Sequence, residues 1–326
     1  MKFRTEIALP VSSVKLDYKQ PLLLLGSCFS EAIGSRLRAS LFDCVVNPFG
    51  ILFNPHSILY ALRRMYANRL FESHELSEKD GYWYSLMHHG RFSTASSDQT
   101  LNAINNEFRK GAMQLASPCT LLLTFGTSYF YTCRDTGEVV ANCHKLPSSY
   151  FEKQRLTVEE IVEGYSTFFS TWFQEDARRK VIFTVSPIRH LRDGLHENQL
   201  SKSILLLSID ALMQRFPDRI HYFPAYEIVL DELRDYRFYD RDMLHPTDLT
   251  EDYIYECFAT HFFSEETIST ARRIQEYIRM KNHRLLHPFS EEAQRFKAAL
   301  DSKREELLTS FPFLSPRLSA FMSEQI

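Results

Sequence analysis

The sequence predicts an α/β protein in which helices cover both faces of a mostly parallel β-sheet. Three short runs, residues 22–25, 119–125 and 181–185, are almost entirely apolar. They are too apolar for surface strands and too short for helices, so they indicate strands buried on both faces. Longer segments between them carry apolar residues at helical spacing. Buried strands that alternate with helices are typical of a parallel sheet, whose ligands bind beyond the carboxyl ends of the strands.

The first strand leads directly into a turn and a helix. Residues 22–25 are four leucines, Gly26 ends the run, and Ser27 and Cys28 precede an amphipathic stretch over residues 30–41. A side chain on such a turn lies at the positive end of a helix, where free backbone N–H groups can receive a developing negative charge. Ser27 and Cys28 are therefore both candidate nucleophiles.

The remaining elements follow in chain order. Further strands are predicted at residues 42–46, 119–125, 181–185 and 220–223, with a hairpin formed by residues 129–132 and 139–142. Helices are predicted at residues 56–70, 96–116, 157–173, 197–215 and 250–263, and Leu101, Ile104, Phe108 and Met113 are expected to form the buried stripe of the second of these. Residues 81–93 predict a hairpin or an irregular insertion, and residues 225–235 a short helix or turn.

The chain becomes charged and helical beyond about Ser264. We therefore expect an α/β domain over residues 1–263, followed by a helical extension over residues 264–326 that packs on the domain or on a partner.

Composition excludes several classes of protein. Lysine and arginine total 38 against 41 acidic residues, giving a net charge of −3, so nucleic acid is not an expected partner. No run approaches the roughly 18 apolar residues that a membrane helix needs, and residues 1–13 lack the apolar core of a signal peptide. A cytoplasmic protein is expected.

The six cysteines form no CxxC pair, and no His, Asp or Glu cluster has the spacing of metal ligands. Neither a zinc site nor a disulfide framework is therefore predicted. We expect no metal and no cofactor.

One pair of residues near the end of the α/β region has the spacing of an acid–base couple. Asp242 and His245 are three positions apart and precede Pro246. In a loop or a first helical turn, this spacing lets the carboxylate fix the tautomer of the imidazole, whose other nitrogen can then take a proton from a hydroxyl or thiol.

Several motifs carry a family resemblance. An early GDS-like turn and a late DxxH pair resemble the GDSL/SGNH esterases. The chain resembles the GSCFA-domain family, an SGNH-like group common in bacteria, more closely. The segments that carry this resemblance are LGSCFS, NPFGI, FGTSYFY, NCHKLP, SPIRHLRDG with ENQLSKS, and YDRDMLHP. The resemblance extends over about residues 5–263 and implies a three-layer α/β fold of flavodoxin-like, SGNH-hydrolase type.

The resemblance also implies roles for individual residues. Gly26, Ser27 and Cys28 take the places of the GDS residues, so a thiol stands where the esterases have a serine. A helix amino terminus and a nearby histidine are expected to lower the pKa of that thiol, although Ser27, or neither residue, remains an alternative. Gly50 is expected to supply a second oxyanion donor. Ser128 stands where the esterases have an asparagine.

Other polar residues are candidates for substrate binding or for plain structural roles. Asn47 is a further oxyanion candidate. His144 and Lys145 either line the cleft or form a surface turn. Arg189 and His190 follow the third apolar strand and either bind an anionic substrate group or, through Arg189, tie down a loop.

His88 and His89 with Trp83 either form a substrate wall or are solvated.

The sequence thus predicts an esterase or acyltransferase that acts on a small-molecule or carbohydrate acyl ester. A non-catalytic module that binds a carbohydrate or acyl ligand in the same cleft is the alternative. A redox role for Cys28 is a weaker one, because no second cysteine lies near it in the sequence. The sequence leaves the oligomeric state open.

Overall fold

The structure is a computed structural model that describes residues 4–9, 12–283 and 289–323. Residues 1–3, 10 and 11 lie outside the described residues, as do residues 284–288 and 324–326 of the expected helical extension.

A five-stranded parallel sheet forms the centre of the fold. Its strands are β1 (Leu22–Gly26), β2 (Cys44–Val46), β5 (Thr120–Phe125), β9 (Lys180–Val185) and β10 (Ile220–Tyr222). They are ordered β10-β9-β5-β1-β2, and every neighbouring pair is parallel. Counted within the sheet this is the order 2-1-3-4-5 of flavodoxin-like folds. The predicted parallel sheet is therefore confirmed.

Two small antiparallel sheets flank the central one. The hairpin of β3 (Ser77–Lys79) and β4 (Tyr82–Tyr84) forms one. The other has the order β7-β6-β8 and consists of β6 (Tyr129–Cys133), β7 (Val139–Val140) and β8 (Phe151–Arg155). The second sheet contains the predicted 129–142 hairpin and lies directly after β5, at the carboxyl edge of the central sheet.

Helices cover both faces. Through the α/β region they are α1 (Cys28–Ala39), α2 (Pro55–Tyr66), α3 (Ser97–Ala116), α4 (Val158–Glu175), α5 (Leu195–Arg215), α6 (Ala225–Glu227) and α7 (Asp248–Phe262), and α8 (Glu265–Lys281), α9 (Glu291–Ser310) and α10 (Leu314–Ser323) follow. Successive strand residues face opposite sides, so Leu23 and Leu25 of β1 join one core cluster with α2 to α5, whereas Leu22 and Leu24 join a second with α1 and α7. Three layers result.

Two sequence expectations about helices differ from the structure. The helix predicted over residues 56–70 ends at Tyr66, because the backbone turns at Asn68 (φ 48°) and the buried Arg64 guanidinium binds the carbonyls of Arg69 and Leu70. Met113, expected in the buried stripe of α3, is 75% exposed. Ala112 and Leu115 occupy that face instead.

The last three helices share the second core cluster. Ile274 and Tyr277 of α8, Leu307 of α9 and Leu314 of α10 are buried in it together with Leu16. Leu16 also donates its backbone N–H to the Phe262 carbonyl at 2.7 Å. The predicted boundary at residue 263 remains a prediction, but the described helices beyond it pack on the α/β layers.

Candidate functional site

A cleft of about 970 Å³ opens at the carboxyl edge of the central sheet. Its walls come from the segments that follow three neighbouring strands: Ser27 and Cys28 after β1, Thr127 after β5, and Ser186 after β9. The small β6–β8 sheet forms another wall. In an open sheet with this strand order, the strands after β2 are added on the other side of β1, beginning with β5. Ligands bind at this switch point in the strand order.

The first turn depends on Gly26. Its φ is +152°, and a Cβ atom there would lie 2.4 Å from the Thr124 carbonyl oxygen and 2.7 Å from Thr124 Cβ. The Gly26 N–H donates to Asn47 Oδ1 at 2.9 Å, and the Gly26 carbonyl accepts the Leu52 N–H at 2.9 Å. The chain therefore leaves β1 in a fixed direction, clamped by the loop after β2.

Ser27 and Cys28 have different roles in this turn. Ser27 is 2% exposed and is the N-cap of α1, where its Oγ accepts the Phe29 N–H at 3.3 Å. Cys28 is the first residue of α1 and is only partly buried. The Ser27 oxygen thus caps the helix, whereas Cys28 is the more exposed of the two side chains.

The thiol of Cys28 is less acidic than expected. Burial raises its pKa above the ordinary value and outweighs the opposing effect of the backbone N–H groups of Phe29 and Cys28, which favour the thiolate. The charge of Glu251 raises the pKa further. The expectation of a lowered pKa is therefore wrong, because desolvation disfavours the charged form more than the helix terminus favours it.

Asp242 and His245 form the predicted couple. Asp242 Oδ2 lies 2.5 Å from His245 Nδ1. Asp242 Oδ1 accepts the backbone N–H groups of Leu244 and His245, each at 2.9 Å. These bonds, led by the His245 backbone N–H, hold the pKa of the Asp242 carboxyl at about 2. An ionised carboxylate only accepts, so Nδ1 of His245 carries a proton, and Nε2 is the ring nitrogen that this bond leaves open. His245 lines the same cleft as Cys28.

The three predicted oxyanion residues lie elsewhere. The Gly50 N–H donates to the Asn47 carbonyl at 2.7 Å, and Asn47 is fully buried. Ser128 is also fully buried, and both its N–H and its Oγ bond to Ser201 Oγ, at 2.7 and 3.1 Å. None of the three is among the described residues that line the cleft. The donors of Gly50 and Ser128 are used within the fold, whereas Asn47 Nδ2 is buried and has no hydrogen-bond partner among the described residues.

Asn54 is a cleft-lining amide that the sequence reasoning missed. It is the N-cap of α2, and its Oδ1 accepts the Ser57 N–H at 2.8 Å. Its Nδ2 makes no hydrogen bond within the described ranges. The sequence signal for this role is an asparagine directly before Pro55, because Asn is a typical N-cap and proline is typical of the first helical position. Capping uses the amide oxygen and leaves the NH₂ group without a partner in the described part of the chain.

His144 and Lys145 both line the cleft, on the loop after β7. Both have positive φ, 46° and 55°. Nε2 of His144 donates to the carbonyls of Ser85 and His88 at 2.8 and 3.0 Å. His144 therefore lines the cleft while its ring is held in place by hydrogen bonds to the backbone. Burial lowers the pKa of this ring.

Arg189 and His190 line the cleft on the loop after β9. Burial, reinforced by the charge of Lys202, lowers the pKa of His190 to about 4, so this ring is neutral at pH 7. His190 packs edge-on against Phe53, which is 39% exposed. Arg189 makes no hydrogen bond or ion pair with another described residue, so the structure gives no support to the loop-tying alternative.

His88 does not belong to the cleft. It is fully buried, its ring stacks on Phe49 with a centroid separation of 4.8 Å, and its Nδ1 lies 3.0 Å from Ser85 Oγ. Burial lowers its pKa to about 3. Neither a substrate wall nor a solvated pair describes this residue, which is part of the aromatic core.

Lys202 lies behind the cleft and was not singled out from the sequence. It is fully buried on α5, and its Nζ donates to the carbonyls of Gly126 and Ser186 at 2.6 and 2.7 Å. It therefore ties together the chain segments that leave β5 and β9. Burial lowers its pKa to about 7, against a smaller opposing effect from Cys28.

Comparisons with known proteins identify a family but no close relative. No curated protein and no solved structure matches the chain significantly. Within the part of the chain that the structure describes, no helix has the length and apolar character needed to cross a membrane. The GSCFA family model matches residues 21–258, well over half of the chain and nearly all of the α/β layers. This chain belongs to the GSCFA family.

Proposed function

We propose that this protein is an SGNH-like esterase or acyltransferase in which Cys28 attacks the carbonyl carbon of an acyl ester. One observation carries the proposal. Cys28 and His245 are more than two hundred positions apart in the chain, yet they line one cleft, and the His245 ring is held by Asp242. A nucleophile and a base oriented by a third group are the parts that covalent acyl transfer requires.

The proposed reaction has two halves. In the first, His245 Nε2 takes the Cys28 proton as Sγ bonds to the acyl carbon, and the C–O bond then breaks as the imidazolium returns the proton to the leaving alcohol. In the second, His245 deprotonates a water or a sugar hydroxyl that attacks the thioester, and the thiol is restored. Asp242 stabilises the imidazolium in both halves.

The negative charge on the acyl oxygen needs donors. Gly50 and Ser128 are engaged elsewhere, and the Phe29 N–H caps the helix through Ser27 Oγ. We therefore assign this role to the backbone N–H group of Cys28, the first residue of α1, together with Asn54 Nδ2. Helix N-termini favour anions. The loss of one such donor typically slows acyl transfer by roughly 10²-fold or more.

A second candidate is a module that binds an acyl or carbohydrate ligand without turning it over. The raised pKa of Cys28 favours it, since a thiol of this kind is a poor nucleophile unless a base takes its proton. The Asp242–His245 bond favours catalysis, because a binding module has no need of an oriented imidazole.

The test is the detection of an acyl-enzyme. Wild-type protein is incubated with short-chain 4-nitrophenyl esters, quenched in acid and digested, and the peptide that contains Cys28 is analysed by mass spectrometry. We expect the acyl mass on Cys28, removable by hydroxylamine, with turnover lost in Cys28→Ala. Ser27→Ala is the matched control, and it should retain the adduct while losing only the helix cap. Undiminished turnover in Cys28→Ala would overturn the proposal.

A further inference from the structure

The cleft is much more basic than the protein as a whole. Its charged lining residues are Lys145, Lys153, Arg189, Arg192 and one carboxylate, Asp193. The full chain has slightly more acidic than basic residues, 41 against 38. Basic side chains are thus concentrated where the ligand would lie, and a cleft lined by one sign of charge focuses its potential on whatever enters.

Only one of these cations is neutralised locally. Lys153 forms an ion pair with Asp193, and its Nζ lies 4.0 Å from the centre of the Tyr129 ring. Lys145, Arg189 and Arg192 make no ion pair or hydrogen bond within the described ranges. Three uncompensated positive charges therefore face the cleft.

The three cations lie on two different segments of the wall. Arg189 and Arg192 are on the loop between β9 and α5, whereas Lys145 is on the loop after β7. Arg189 is close enough to Tyr239 to lower its pKa against the larger, raising effect of burial. Tyr239 pairs with Pro246 next to His245, so Arg189 lies toward the proposed base.

Aromatic rings accompany the charges. Phe53 and Tyr131, 39% and 37% exposed, line the cleft with Tyr129. A volume of about 970 Å³ is at the upper end of the range for small-molecule sites. The site therefore suits a ligand that combines a ring with an acidic group.

We propose that the cleft selects an acyl ester that carries negative charge, a carboxylate or a phosphate, bound by Arg189 and Arg192 with Lys145 on the opposite segment. This specificity rests on the proposed function for its acyl chemistry, but the binding of the anion does not. Arginine forks pair with either group through two parallel hydrogen bonds, so the test includes both anions.

The experiment measures protection of Cys28 against iodoacetamide at pH 9, which needs no turnover. The probes are 4-acetamidobenzoate, its neutral carboxamide and 4-acetamidophenyl phosphate, and alkylation of the Cys28 peptide is followed by mass spectrometry. We expect half-protection by at least one anion at a concentration about tenfold below that of the carboxamide, a ratio that corresponds to about 1.4 kcal/mol. The better of the two anions identifies the acidic group.

Variants separate the cleft charges from the charge of the whole protein. In Arg189→Gln/Arg192→Gln the advantage of the anion should fall to near one, and 0.5 M salt should weaken it in the wild type. Arg215→Gln is the matched control, because Arg215 is exposed at the far end of the 21-residue helix α5, roughly 30 Å from the cleft end. It should leave the ratio unchanged.

The outcomes are distinguishable from those of the proposed function. Equal protection by the anions and the carboxamide, protection by none of the probes, or an unchanged ratio in the double variant would each overturn the anion proposal. If an anion protects selectively but no acyl-enzyme forms with any ester, the anion site stands and the acyl chemistry falls.

Discussion

A single carboxylate holds both the backbone and the ring of His245. Asp242 Oδ1 accepts the His245 backbone N–H at 2.9 Å, and Oδ2 lies 2.5 Å from Nδ1 of the same residue. The four residues from Asp242 to His245 therefore form a closed unit that presents Nε2 in a fixed orientation and tautomer.

This unit predicts a large effect of Asp242→Asn. An asparagine can still accept the backbone N–H groups, so the loop should keep its shape, but the imidazolium loses its counter-charge and the ring can adopt the other tautomer. We expect kcat on short-chain esters to fall by roughly 10²- to 10⁴-fold, by analogy with other acid–base couples. His74→Gln, at an exposed histidine 75% open to solvent, is the control and should be neutral. An Asp242→Asn enzyme of full activity would show that the Asp242–His245 bond plays no part in catalysis.

The raised pKa of Cys28 predicts how its alkylation depends on pH. Because only the thiolate reacts, the second-order rate constant for iodoacetamide should climb about tenfold per pH unit through neutrality and continue to rise beyond pH 9. Quantitative peptide mapping would measure it, with Cys28→Ser to verify the peptide assignment. A plateau below pH 8 would show that the thiolate is stabilised more strongly than its burial allows.

Buried histidines predict a loss of stability in mild acid. Burial lowers the pKa of His88 to about 3 and that of His190 to about 4, both from an ordinary 6.5. Between these limits the unfolded chain binds protons that the folded chain does not. The contribution of the two histidines to the free energy of unfolding therefore falls as the pH drops below 6.5 and levels off near 3 to 4. Each group contributes a slope of up to about 1.4 kcal/mol per pH unit.

The variant that isolates this effect is His88→Phe, whose ring can stack on Phe49 in place of the imidazole. Urea unfolding at pH 7, 6, 5 and 4 should show a shallower decline than in the wild type. An unchanged slope would mean that His88 does not titrate in the unfolding transition.

The turn after β1 predicts that Gly26→Ala is severely destabilising. An alanine would meet the Thr124 carbonyl oxygen at 2.4 Å and would also have to adopt a left-handed φ. We expect a loss of about 2 to 5 kcal/mol from the clash and the strain together. Gly137→Ala shares the positive φ, +70°, but has nothing within 4 Å, so it should cost only about 1 to 2 kcal/mol. Similar losses at the two positions would argue against the close contact.

The sequence predicted the sheet well because its signal is local. Unbroken apolar runs such as residues 22–25 can only be accommodated between two layers, and the helices that connect successive strands make those strands parallel. Lys202 was missed for the opposite reason. Lysine is normally exposed, and its burial depends on the carbonyls of Gly126 and Ser186, which only the folded chain brings together.

The oxyanion residues illustrate the same limit. Motif order placed Gly50 and Ser128 at the site, but whether an N–H is free depends on which nearby acceptor it meets, here the Asn47 carbonyl and Ser201 Oγ. The residues after the strands, Cys28 and Arg189 among them, did reach the cleft, because the end of a strand fixes the position of the next few residues.

The packing of the carboxyl-terminal helices limits where the chain can be truncated. The family match stops at residue 258, inside α7, yet Ile274, Leu307 and Leu314 lie against the same cluster as Leu22 and Leu24 of β1. A fragment that ends where the family match ends would lack these helices, and the apolar face that they cover would be exposed to water on the layer that carries Cys28. Recombinant fragments designed on the homologous segment alone should therefore aggregate, and inactivity of such a fragment would say nothing about its chemistry.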